Sequence, residues 1–128
     1  MDKKALIITD GTESISNIAN MINEALSGFD AQVCSGEAFE GTSLLAADVF
    51  FIGCEKSSPE SFSYLEDMLA HINLASRKCG VFTTEEKSLS YLCGIVESCE
   101  ARLGAPLHAA SKEIDKAALK KWAQKVTE

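Results

Sequence analysis

Short runs of consecutive apolar residues, each followed by a stretch of helical periodicity, constrain this chain more than any other feature. Ala5-Leu6-Ile7-Ile8, Asp48-Val49-Phe50-Phe51-Ile52-Gly53 and Cys79-Gly80-Val81-Phe82 lack the polar alternation of a half-exposed strand. Each reads as a strand buried on both faces, which only a sheet covered by helices on both sides can provide. Ala31 to Cys34 is a weaker strand, and Pro106 to Ala109 reads as a last one. Between the strands, Ile15, Ile18, Ala19, Ile22 and Leu26 form a helical stripe that closes at Ser27-Gly28. Ser58-Pro59-Glu60 opens a second helix, with a capping hydroxyl, Pro at the first helical position and an acid in the first turn. Its face is Phe62, Leu65, Met68, Leu69 and Ile72. Leu89, Leu92, Cys93, Val96 and Leu103 predict a third helix that ends at Gly104. Ser111 opens the last, with Ile114, Ala118, Leu119, Trp122 and Val126 on one side. Strands that alternate with helices imply parallel crossovers, hence an α/β three-layer sandwich with a five-stranded parallel sheet in order 2-1-3-4-5. The 128 residues show no composition break or repeat, so residues 1–128 are expected to form a single domain.

The net charge is −7, from 12 basic and 19 acidic side chains. That balance argues against nucleic acid or an anionic membrane as the main partner. The acidity is uneven, with 3 basic and 10 acidic residues in 1–64 but 9 of each in 65–128. Met1-Asp2-Lys3-Lys4 followed by a short apolar stretch carries no small-residue cleavage site, and export is not expected. Five cysteines (Cys34, Cys54, Cys79, Cys93, Cys99) are an odd count without a Cys-x-x-Cys, and neither His71 nor His108 stands at a zinc spacing. Reduced thiols in a cytoplasmic protein, with no metal, are the expectation.

In a sheet of this kind a ligand sits outside the carboxyl ends of the strands. The bordering loops are then Thr9 to Ser16, Cys54 to Ser58 and Thr83 to Ser88, rich in Thr, Ser and Glu and with only Lys56 and Lys87 as bases. No nucleophile stands beside a general base, so hydrolase chemistry has no support and no catalytic residue is assigned. A phosphorylated receiver domain would suit Asp10 and Thr83. It would also need an Asp where the third strand ends in Gly53-Cys54, and a Lys after Pro106 to Ala109. Neither is present.

Lys4 to Ile8 with its hydroxyl-rich turn, Phe51-Ile52-Gly53-Cys54, Arg77 to Phe82, Ser90-Tyr91-Leu92-Cys93-Gly94 to Leu103 and the Trp122-Ala123 helix, in that order and spacing, resemble flavodoxins over nearly the whole chain. The resemblance implies FMN at the crevice, low-potential electron transfer, and an acidic rim that docks basic redox partners. It places the cofactor against Thr9, Gly11, Thr12, Ser14, Ser57, Thr83 and Leu89.

The residues at those positions depart from the family pattern. Flavodoxins cradle the FMN phosphate in a Ser/Thr-x-Thr-Gly-x-Thr loop at a helix N-terminus. Here the loop is Thr9-Asp10-Gly11-Thr12-Glu13-Ser14, one residue short, with Gly and Thr exchanged and two carboxylates added. Asp10 and Glu13 are spaced as a capping box, which would satisfy the helix amides internally. The two positions that usually hold flavin-stacking aromatics are Ser57 and Leu89. Stacking is worth about 1–3 kcal/mol per ring, so losing two rings costs several powers of ten in affinity. The reading that follows is a flavodoxin-like protein with an eroded FMN site, flavin-free or weakly binding, that acts through a protein partner. Its alternative is a working FMN electron carrier with an atypical site. Glu13, Glu55 and Glu60 are expected to make the strand carboxyl edge negative and suited to a basic protein surface.

Overall fold

The computed structural model describes residues 3–109 and 115–128. Its elements are β1 (Lys3–Thr9), α1 (Glu13–Ala25), β2 (Phe29–Ser35), α2 (Gly41–Ala46), β3 (Val49–Gly53), α3 (Ser63–Ala70), β4 (Lys78–Thr83), α4 (Leu89–Glu97), β5 (Arg102–Leu103), β6 (Leu107–His108) and α5 (Lys116–Thr127). The strands form one parallel sheet in the order β2-β1-β3-β4-β5, with β6 also on β4.

The unbroken apolar runs are central strands because successive side chains point to opposite, equally covered faces. Leu6, Ile8, Phe50, Ile52 and Val81 pack with Leu65, Leu69, Leu92 and Val96 from α3 and α4. Ala5, Ile7, Val49, Phe51 and Phe82 pack with Ile15, Ile18 and Ile22 of α1 and Leu119, Ala123 and Val126 of α5. All five residues of β3 are buried. The β3–β4 contact is tight enough to require glycine twice. A Cβ at Gly53 would run into the Phe82 ring, and one at Gly80 would lie 2.9 Å from Phe51. Trp122 closes this side edge-on to Phe51, with ring centroids 5.6 Å apart.

Three boundaries and one helix differ from the sequence expectation. The fifth strand position is divided: β5 pairs with the start of β4 and β6 with its end. Gly104 still donates its amide to the Cys79 carbonyl at 2.9 Å; the chain then leaves β4 at 105–106, where Ala105 turns its carbonyl to the Trp122 indole N–H at 2.6 Å and Pro106 has no amide to donate. The third predicted helix stops at Glu97, because Glu100 adopts a left-handed backbone (φ 63°) and Leu103 belongs to β5. Ser58 does not cap α3. Its own backbone is left-handed (φ 49°), and a single tight turn over Glu60–Phe62 precedes the helix. The helix α2 has no counterpart in the sequence reading, since Leu44 is its only buried residue and one residue gives no periodicity. In α5, Asp115 is the N-cap and accepts from the amides of Ala117 and Ala118; the expected start at Ser111 and the stripe residue Ile114 lie outside the described residues. No helix among the described residues is long and apolar enough to cross a membrane.

Candidate functional site

Parallel strands bring Thr9, Gly53 and Thr83 to one edge of the sheet, so the three loops that follow β1, β3 and β4 are neighbours. The first loop begins with Thr9, buried, whose hydroxyl oxygen accepts from the Gly11 amide at 3.3 Å. Gly11 takes φ +85°, a conformation that glycine alone adopts without strain. This turn aims Asp10 inward. Its Oδ1 accepts from the Thr12 amide at 3.0 Å and from the Thr12 hydroxyl at 2.6 Å. Its Oδ2 crosses to the second loop and accepts from the Glu55 amide at 2.8 Å.

Glu55 is the opposite pole. Its Oε2 accepts from the Ser14 hydroxyl at 3.2 Å, and its carbonyl accepts from the Ser88 hydroxyl at 2.9 Å. Ser61 donates its hydroxyl back to the Asp10 carbonyl at 3.2 Å. The three loops are therefore joined directly to one another through Asp10 and Glu55. The bonds to the Asp10 carboxylate are charge-assisted, stronger than the neutral ones that Ser61 and Ser88 give to backbone carbonyls.

Asp10 and Glu13 do not form the expected capping box. Thr12 occupies the N-cap of α1 and turns its hydroxyl to Asp10, so no side chain caps the first helical amides. Glu13 is exposed and contributes only its charge to the start of the helix. The reason is register: α1 starts at Glu13 with Thr12 as N-cap, so Asp10 lies before the helix and spends one oxygen on Thr12 and the other on the Glu55 amide.

The positions marked in the sequence divide into three groups. Thr9, Gly11, Thr12 and Ser14 come together in the first loop, but the two hydroxyls of Thr12 and Ser14 are both donated to carboxylates. Ser57 is exposed and borders two adjoining grooves of 560 and 330 Å³, which share Glu55 and Lys56 with it. The smaller groove is closed by Glu85, Lys87 and Ser88, and Leu89 begins α4 next along the chain. Thr83 is fully buried, and its hydroxyl is committed to Glu85 as acceptor from the amide and donor to the carbonyl. Glu55, Ser61 and Ser88 carry the network and were absent from the residues marked for the site. The available signal, for Glu55 alone, was a carboxylate two residues beyond a buried strand end.

Beneath the loops, Cys54 is enclosed, and burial, then the Asp10 charge, pushes its thiol up to about 12. A thiol held protonated in this way is a poor nucleophile and a poor metal ligand. The two tyrosines lie on helices. Tyr64 is exposed on α3 and stacks on Phe39 at 5.1 Å. Tyr91 is on α4, where burial, then the Glu66 carboxylate, keeps its phenol protonated well beyond the ordinary range. Its hydroxyl is enclosed without a hydrogen-bond partner among the described residues.

A phosphate dianion bound in the first loop would find the Thr12 amide and the Thr12 and Ser14 hydroxyls already serving carboxylates, and would be left with the uncapped amides at the start of α1. It would also meet Asp10, a like charge. The residues present do not fit that group.

Known structures align over nearly the full chain. A flavodoxin from Streptococcus pneumoniae TIGR4 superposes with a TM-score of 0.83 at 16% identity, covering 96% of each chain. The chain has the flavodoxin fold. Oxidised flavodoxin 2 from Bacillus cereus gives 0.78 at 20% identity, over 96% of this chain and 97% of its own. Two-electron reduced flavodoxin from Megasphaera elsdenii gives 0.77 at 15% identity, over 97% and 98%. No family model matches the sequence. The flavodoxin-fold scaffold is thus shared in full, while at these identities the loop chemistry must be read from this chain alone.

Proposed function

We propose that this chain is a flavodoxin-fold protein whose FMN site has eroded, so that it is flavin-free or binds FMN weakly, and that it works in the cytoplasm through a protein partner. One observation supports the reading above the others: Asp10 and Glu55 take the Thr12 amide and the Thr12 and Ser14 hydroxyls and put two carboxylates beside the start of α1, where a phosphate would meet like charge. Ser57 and Leu89, in place of stacking aromatics, support it. The partner is a redox protein with a basic surface, attracted to the edge that carries Glu13, Glu55 and Glu60.

Protein purified from a flavin-replete host, without added cofactor, should show no absorbance in the visible flavin bands. For the partner, the association rate should fall steeply as salt is raised. A rate indifferent to salt removes the basic-surface assignment and leaves the flavin-free reading standing. The second reading, an FMN electron carrier with an atypical site, is favoured by the close superposition on known flavodoxins. Flavin bands in stoichiometric amount would select it.

A further inference from the structure

The two lateral edges of the sheet are built differently. On one side the fifth strand position is split into β5 and β6, two residues each, separated by a stretch that contains Pro106. Short strands and proline keep an edge from pairing with another chain. On the other side stands β2, seven residues paired to β1 alone, in unbroken register from Lys3 with Phe29 to Thr9 with Ser35. The Gly36 amide continues the ladder to the Thr9 carbonyl at 2.9 Å. Amides alternate in direction along a strand, so the even-numbered ones of β2 face β1, while Ala31, Val33 and Ser35 turn theirs outward. Ala31 and Val33 have no backbone partner on that side among the described residues. The strand holds no proline, lysine or bulge, and Asp30 is its single charge.

We infer that β2 is the interface of a homodimer, in which a second copy of this chain adds its own β2 antiparallel across a two-fold axis at Gln32. The strand is complementary to itself in that register. Ala31 of each copy exchanges hydrogen bonds with Val33 of the other, so the outward donors and acceptors match. Phe29, Ala31 and Val33 are only partly buried against the α1 side of the core, and the pairing lays Ala31 and Val33 of one copy beside those of the other. Asp30 faces Cys34, which avoids a like-charge pair. Antiparallel pairing also sets the carboxyl end of one sheet beside the amino end of the other. Glu37 and Glu40, exposed just beyond β2, then lie toward the exposed Lys3 and Lys4, which open β1 beside Phe29 and Asp30. This edge is separate from the crevice, so the interface stands whether or not FMN binds.

Sedimentation equilibrium of the unmodified protein at roughly 0.1 mM, where complexes with micromolar dissociation constants are populated, should give the mass of a dimer. A monomer there overturns the proposal and leaves the edge to a strand from another protein. Ala31→Pro removes an outward amide and no bond to β1. It should keep native circular dichroism and weaken dimerisation at least about tenfold, the worth of the two hydrogen bonds lost by symmetry. A folded variant that dimerises as before refutes β2 as the interface. Gln32→Cys in a Cys34→Ala background reports the register without a proline. Facing residues of a non-hydrogen-bonded antiparallel pair stand about 4.5 Å apart at Cα, within disulfide range. Oxidised glutathione should therefore join the two introduced thiols into a covalent dimer, while the Cys34→Ala protein runs as a monomer on a denaturing gel. Failure to link refutes the two-fold at Gln32 and the proposal with it.

Discussion

The middle of the sheet and its carboxyl edge are held together by different forces. Phe50, Phe51, Ile52 and Phe82 are wholly enclosed by apolar neighbours, and their positions follow from burial and shape. A few ångströms along the same strands, Asp10, Glu55 and Ser88 join three loops by single hydrogen bonds. Burial tolerates many apolar substitutions of similar volume, which accounts for a TM-score of 0.83 at 16% identity. A hydrogen bond between two named side chains tolerates almost none. One region can therefore preserve its architecture while the other exchanges its chemistry.

The largest effect expected from that contrast is in the interior. Phe51→Ala removes a fully buried ring that meets Trp122 edge-on, and should cost about 3–5 kcal/mol in urea unfolding with an unchanged m-value. A cost below about 1 kcal/mol, the range of a surface change, would mean that the sheet interior is not close-packed there.

At the edge the comparison can be sharpened with two acids three residues apart. Asp10→Ala should cost about 1–3 kcal/mol, because it strands the Thr12 and Glu55 amides. Glu13→Ala should stay within about 0.5 kcal/mol, as for an exposed side chain with no partner to lose. Equal effects would show that the network has no more hold on the loops than surface charge.

That pair of residues also marks the limit of what was legible in the sequence. Strand β3 could be read from its unbroken apolar run, and the parallel order from the spacing of the helices between strands. The end of α4 was obscured because Leu103 stands at a helical interval from Val96, while the left-handed turn at Glu100 leaves no trace in the pattern. At the site, Asp10 and Glu13 have the spacing of a local cap, yet one oxygen of Asp10 goes to Thr12 and the other to the Glu55 amide 45 residues away. Contacts between loops depend on which strand ends the sheet brings together, and local patterns do not contain them. The short first loop, the added carboxylates and the missing aromatics were visible; what those carboxylates hold was not.

A smaller effect is expected from Tyr91→Phe. The Tyr91 hydroxyl lies enclosed beside the Glu66 carboxylate without a hydrogen bond of regular geometry among the described residues. Removing it should leave stability unchanged or raise it by up to about 1 kcal/mol. A loss larger than that would reveal a hydrogen bond to Glu66 in solution.

The smallest expected effect is on alkaline stability. The Cys54 thiol has its usual value of 9.0 when unfolded and is pushed up to about 12 by burial and the Asp10 charge. A raised folded value contributes stability that is complete below pH 9.0 and is lost as pH rises through about 12. Melting temperature should therefore fall as pH is raised above 9.0. Cys79, raised by burial and then by Cys99 and Cys93, adds to the same slope. Cys54→Ala should flatten the decline without abolishing it, and an unchanged slope would place the titration elsewhere.

Whether the crevice accepts FMN at all is decided most directly by titrating FMN with the unmodified protein and following flavin fluorescence at equilibrium. With Thr12 and Ser14 committed to Asp10 and Glu55, fluorescence should remain unquenched at micromolar protein, and dissociation constants weaker than about 1 mM correspond to less than about 4 kcal/mol of binding. Stoichiometric quenching at nanomolar to micromolar concentrations would contradict it and select the electron-carrier reading instead.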